Sequence, residues 1–109
     1  MVDNRRPPYI NLPNINYIFN NAYSELELPN FDIVIDDGPH TLQSMIDCIR
    51  IYLPKINKGG MLVIEDIQDI SWFVKLTDVV PDEYKDSIEC LDLRANNNRC
   101  DDLMFIIRK

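Results

Sequence analysis

The sequence predicts a single α/β domain whose sheet is mostly parallel, with an antiparallel final strand. Three observations carry this reading. Phe31-Asp32-Ile33-Val34-Ile35-Asp36 contains a continuous β-branched run, the pattern of a strand covered on both faces. Leu42, Met45, Ile46, Ile49 and Leu53 then fall at i, i+3, i+4, i+7 and i+11, one apolar stripe of a helix. Met61-Leu62-Val63-Ile64 is a second apolar strand. Strand, helix and strand therefore follow one another within about 35 residues, as a βαβ unit with a right-handed crossover.

The remaining elements are read in order. Residues 1–14 are rich in Pro and Asn and predict loop or turn. Ile15 to Phe19 predicts a strand that ends in Asn20-Asn21, and Tyr23 to Pro29 a short connection with a helical turn. Thr41 can cap the helix that follows residue 40, and Pro54 ends it, because Pro cannot occupy a helix interior. Lys55 to Gly60 predicts a turn, and Asp69 to Val80 a second helix. Ile88 to Leu93 alternates with period two, Arg94 to Asp102 is a polar loop, and Leu103 to Ile107 is a last strand followed by Arg108-Lys109 in solvent. Without room for a helix between them, these last two strands should pair antiparallel.

Composition narrows the function. A chain of 109 residues with 46% hydrophobic content suits one folded domain rather than a disordered segment. A net charge of −7 argues against nucleic-acid binding, and the Arg5-Arg6 pair is too small a footprint to offset it. No apolar run approaches the roughly 20 residues of a membrane span. The first eight residues carry charge with no apolar stretch after them, unlike a secretion signal, so the expected location is cytoplasmic. Cys48, Cys90 and Cys100 show no CxxC spacing and are expected to be reduced, mostly buried thiols.

The chemistry concentrates where the two apolar strands stop. Asp36-Asp37-Gly38-Pro39-His40 follows the first and Glu65-Asp66 the second. Neighbouring parallel strands lie about 4.8 Å apart, so these carboxylates repel unless a cation lies between them. Magnesium commonly uses one or two carboxylates and keeps positions for water or substrate. Asp37 and Asp66, each the second acid past its strand, are the candidate ligands. His40 stands at the rim beside a helix start, placed to act as general base toward a hydroxyl. The same residues also fit ordinary turn chemistry, with Asp side chains bonding nearby backbone and capping the following helices.

These residues, together with Lys58-Gly59-Gly60 and Met61-Leu-Val-Ile-Glu-Asp-Ile67, resemble class I S-adenosylmethionine-dependent methyltransferases. The branch they look most like is that of the macrocin-type sugar O-methyltransferases, in which one strand ends in Asp-Asp-Gly-Ser-His and another in Glu-Asp. The resemblance covers 31–67 well, 68–109 as the closing helix and antiparallel strands, and 1–30 loosely. It implies a Rossmann-like fold of strand order 3-2-1-4-5-7-6. It also implies S-adenosylmethionine and Mg2+ as cofactors and a hydroxylated small molecule, such as a sugar, as substrate.

By position, the resemblance makes Asp37 and Asp66 the Mg2+ ligands and His40 the base. It brings Asn20 or Asn21 near the cofactor adenine and Asp3 near its ribose. Two departures stand out. Pro39 replaces the serine of the turn, and no glycine-rich cofactor turn exists, since the three glycines are Gly38, Gly59 and Gly60. The chain therefore reads as an N-terminally truncated methyltransferase domain. The missing strands would leave the 31–36 strand with an open edge, inviting a second copy of the chain in a homodimer or a complementing chain. The competing expectation is a non-catalytic assembly module that keeps only the C-terminal half of the fold.

Overall fold

The computed structural model describes residues 2–3, 18–19, 22–23, 28–97 and 102–109. Among these residues the elements follow as β1 (Val2–Asp3), β2 (Ile18–Phe19), β3 (Phe31–Asp36), α1 (Leu42–Tyr52), β4 (Ile56–Ile64), α2 (Trp72–Val79), β5 (Ile88–Asp92), α3 (Arg94–Asn97) and β6 (Leu103–Arg108). Short 3-10 turns at Leu53–Lys55 and Asp82–Ser87 lead into β4 and β5.

The fold is α/β, built on a four-stranded sheet in the order β3-β4-β6-β5. β3 and β4 pair in parallel, and β6 runs antiparallel to both β4 and β5. Three strands thus point one way and the last strand opposes them, as the sequence predicts. A second, two-stranded parallel sheet joins β1 to β2.

Register explains the core. Val34 pairs with Leu62 and Leu62 with Ile107, while Asp36 pairs with Ile64 and Ile64 with Phe105. Leu62, Ile64, Phe105 and Ile107 are fully buried, in one cluster with Met45, Cys48 and Ile49 of α1 and Leu76 of α2. Phe73 of α2 stacks on Phe105 with ring centroids 6.4 Å apart. The other face of the sheet carries Ile33 and Ile35 of β3, which are 57% and 59% exposed. The expectation that β3 is covered on both faces is therefore corrected. Both helices of the core pack on the Val34 face, and among the described residues β3 is the edge strand of its sheet.

Thr41 caps α1 as expected. Its hydroxyl accepts from Ser44 N, and the Ser44 hydroxyl accepts in return from Thr41 N, a capping box with Ser in the third position. Several boundaries differ from the sequence reading. Val2–Asp3 is a strand within the stretch read as loop, since it finds a parallel partner in β2. Of the strand read at 15–19, Ile18–Phe19 is observed, and 15–17 lie outside the described residues. β4 takes in the glycine turn read at 55–60. Phe31 pairs with Ile56 and Ile33 with Met61, so two steps along β3 match five along β4, and Gly59 absorbs the irregularity at φ +87°.

At the C-terminal side, the helix read from 69 begins at Trp72, and a short helix, α3, occupies part of the loop read at 94–102. Lys109 is not simply solvated. Its N–H donates to Gly60 O and its ammonium to Leu53 O at 2.9 Å. Cys90 is exposed rather than buried, whereas Cys48 is buried and Cys100 lies outside the described residues. Among the described residues no helix is long and apolar enough to cross a membrane.

The unequal faces of β3 predict unequal mutational costs. Leu62→Ala should destabilise the fold by about 2–5 kcal/mol, through lost burial and the cavity left behind. Ile33→Thr and Ile35→Thr should each change stability by less than about 1 kcal/mol. Urea unfolding followed by circular dichroism checks both.

Candidate metal and acceptor site

The two acidic strand ends are brought side by side by the parallel pairing of β3 with β4. Glu65 N donates to Asp36 O at 3.0 Å, which extends the ladder one step past the last paired residues. Asp66 follows in a left-handed conformation, φ 53°, and its other neighbour is also tied down, since Ile67 N donates to Leu103 O of β6 and the Ile67 side chain is fully buried. His40 is left-handed as well, φ 58°. These are the only non-glycine residues of positive φ among the described ones. Asp and His tolerate that region better than most, and such backbone costs about 1–3 kcal/mol that the surrounding structure must hold.

Asp37, His40 and Asp66 converge. One ligating atom from each lies within 4.8 Å of the other two. His40 Nε2 is 3.6 Å from Asp37 Oδ1 and 4.0 Å from Asp66 Oδ2. These separations are too long for direct hydrogen bonds and suit a small ion or water held between the groups. Asp37 is exposed, while His40 and Asp66 are partly buried. Glu65 stands close by. Burial raises its carboxyl above the ordinary range, the charges of Asp37 and Asp66 raise it further, and His40 opposes the shift. Two carboxylates and an imidazole thus face one another at the carboxyl ends of parallel strands, with Glu65 near enough to feel their charges. Two anionic oxygens with a third acid beside them are a donor set that fits a hard divalent cation.

Asp36 behaves differently from its neighbour because side chains alternate along a strand. It lies on the Val34 face, against the core, and is only 8% exposed. Tyr23 Oη donates to Asp36 Oδ1 at 2.5 Å, and Gly38 N donates to the same oxygen at 3.2 Å. Burial pushes the Asp36 carboxyl up, and hydrogen bonds from Tyr23, Cys48 and Gly38 oppose that rise. Burial and the adjacent Asp36 together push the Tyr23 phenol far above its ordinary range, so it remains a donor. Sequence reasoning named Glu65 among the strand-end acids without choosing it as a ligand, and gave Tyr23 no role at the site. The parity of Asp36 with Val34 was the available signal for a buried acid, but nothing local points to Tyr23.

The sequence-derived cofactor residues are placed less fully. Asp3 ends β1 and pairs with Phe19 of β2, one residue before Asn20. Asn20 and Asn21 lie outside the described residues. A hollow of about 350 Å³ opens between α1 and the Asp82–Ser87 turn, lined in part by Ile49, Leu53, Tyr84 and Lys109, and none of the converging acids reaches it.

No protein-family model matches the chain. Over 66 residues it is 36% identical to an uncharacterized protein of Acanthamoeba polyphaga mimivirus, covering 54% of this chain and 30% of that one. Over 41 residues it is 42% identical to the 8-demethyl-8-alpha-L-rhamnosyl tetracenomycin-C 2'-O-methyltransferase of Streptomyces olivaceus, covering 38% of this chain and 11% of the enzyme. The chain thus spans less than a third of either relative's length. The second, partial match hints at a relation to methyltransferases and goes no further.

The buried Asp36 makes a pH prediction. Its folded-state pKa is raised, so it contributes stability below the ordinary carboxylate range that is lost as pH rises through the folded value. The stability of wild type relative to Asp36→Asn should therefore be greater near pH 3 than at pH 7. Urea melts of both proteins with EDTA present, at a series of pH values, check the sign.

Proposed function

We propose that this chain carries the metal- and acceptor-facing part of an O-methyltransferase of the S-adenosylmethionine-dependent class, acting on a hydroxyl of a small molecule. The observation that carries the reading is the convergence of Asp37, His40 and Asp66 within 4.8 Å at the ends of two parallel strands. The sheet order β3-β4-β6-β5, with β6 antiparallel, supports it, being the arrangement expected of the last four strands, 4-5-7-6, in that fold. The parallel β1–β2 pair, with Asp3 beside Phe19, supports an equivalence to two further strands. The partial match to an enzyme named as a 2'-O-methyltransferase adds to this and makes a sugar hydroxyl the acceptor to try first.

In this reading Asp37 and Asp66 hold Mg2+, Glu65 adds negative charge behind them, and His40 Nε2 takes the proton from the acceptor hydroxyl. When bound, the metal lowers the pKa of that hydroxyl, and S-adenosylmethionine supplies the electrophilic methyl group. His40 Nε2 lies 3.6 Å from Asp37 Oδ1 and 4.0 Å from Asp66 Oδ2, beyond direct hydrogen-bond length. The described residues contain no glycine cradle for S-adenosylmethionine. That same lack favours a second reading, an assembly module that keeps the acidic strand ends without catalysis.

The open edge of β3, with Ile33 and Ile35 exposed beside it, supports pairing with a further strand. A second copy of the chain and a complementing polypeptide are the two occupants to separate by light scattering.

Calorimetry with Mn2+ as a Mg2+ surrogate tests the site. Wild type should bind, and Asp37→Asn or Asp66→Asn should each weaken binding at least about tenfold, with little change in the thermal melt. His40→Ala should retain the metal and lower methyl transfer to a hydroxylated acceptor about 10²–10⁴-fold. The module reading expects all three exchanges to alter stability alone.

A further inference from the structure

The turn from β3 into α1 is held by a side chain from outside it. Tyr23 precedes Asp36 by thirteen residues, yet its hydroxyl donates to Asp36 Oδ1 at 2.5 Å. The same oxygen accepts from Gly38 N at 3.2 Å. Asp37 is therefore flanked on both sides by residues tied to one carboxylate oxygen. The fit is close on the other side too. A Cβ added at Gly38 would overlap the Tyr23 hydroxyl and lie 2.7 Å from Tyr23 Cζ and 2.9 Å from Asp36 Oδ1. Two residues further on, His40 takes its left-handed backbone immediately before the Thr41 capping box.

Gly38 has the greatest backbone freedom in this turn. Left unbracketed, it would let Asp37 and His40 drift relative to Asp66, which is fixed separately through Glu65 and Ile67. We propose that Tyr23 is a positioning residue: through Asp36 and Gly38 it sets the turn that presents Asp37 and His40 opposite Asp66. This rests on the reading of that cluster as a cation site. Partners of this kind, one bond removed from the ligands, commonly govern metal affinity 10–100-fold.

Tyr52 supplies the control. Its hydroxyl donates to Ala22 O at 2.6 Å and holds the residue next to Tyr23, whereas the hydrogen bond to the Asp36 carboxylate comes from Tyr23. The test compares Tyr23→Phe, Tyr52→Phe and wild type by Mn2+ titration read by electron paramagnetic resonance, and by NMR of the Gly38 amide and the His40 ring in metal-free protein. Tyr23→Phe is expected to weaken Mn2+ binding roughly tenfold and to move both NMR signals, with Tyr52→Phe leaving all three near wild type. Asp36→Ala, which removes the shared acceptor, should match Tyr23→Phe, and Asp36→Asn, which keeps an acceptor oxygen, should stay within about threefold of wild type. Unchanged signals in Tyr23→Phe, equal losses in Tyr52→Phe, or wild-type affinity in Asp36→Ala would overturn the proposal. If wild type itself binds no Mn2+, the cation-site reading fails, and the metal-free NMR comparison still decides whether Tyr23 sets the turn.

Discussion

The pairing of β3 with β4 is the constraint on which the rest of this molecule depends. It is a parallel pair, so both strands deliver their carboxyl ends to the same side. The bond from Glu65 N to Asp36 O carries the ladder up to the point where both sequences turn acidic. Carboxylates at neighbouring strand ends repel, and a sheet this small holds them together only because its ladder and core outweigh that repulsion. The core does so through one face, where Val34, Leu62 and Ile107 form a continuous row under α1 and α2.

Two consecutive aspartates take opposite fates for the same geometric reason. Alternation sends Asp36 toward the helices, where it is buried and hydrogen-bonded, and Asp37 outward to the strand end. One acid stabilises the shape of the turn and the other is presented by it. Asp66 reaches the same spot by a different device, a single left-handed residue between two backbone bonds to neighbouring strands.

Much of this was legible in the sequence, and the limits were physical. The apolar stripe from Leu42 to Leu53 gave α1 with its Thr41 cap, and the two apolar runs at 33–35 and 61–64 gave β3 and β4, since periodicity and capping are local signals. The approach of Asp37, His40 and Asp66 followed from assuming that those runs pair in parallel. What could not be read locally came from partners distant in the chain. Val2–Asp3 is a strand only because Ile18–Phe19 lies beside it. Ile33 and Ile35 read as covered because their composition is that of a buried strand, and composition does not say which elements are present to cover it. Tyr23 has no distinguishing neighbours in sequence, so its bond to Asp36 becomes visible only in three dimensions.

The close fit at Gly38 has a consequence for how this chain can vary. A side chain at position 38 would require the space now filled by the Tyr23 phenol. Positions 23 and 38 are thus sterically interlocked, and a change that enlarges one demands a change that shrinks the other. With tyrosine at 23 in this position a side chain at 38 meets its phenol, and even without the tyrosine it would still crowd Asp36 Oδ1 at 2.9 Å. The compact motif around residues 36–40 therefore extends, in terms of what evolution may alter, to a residue well upstream of it.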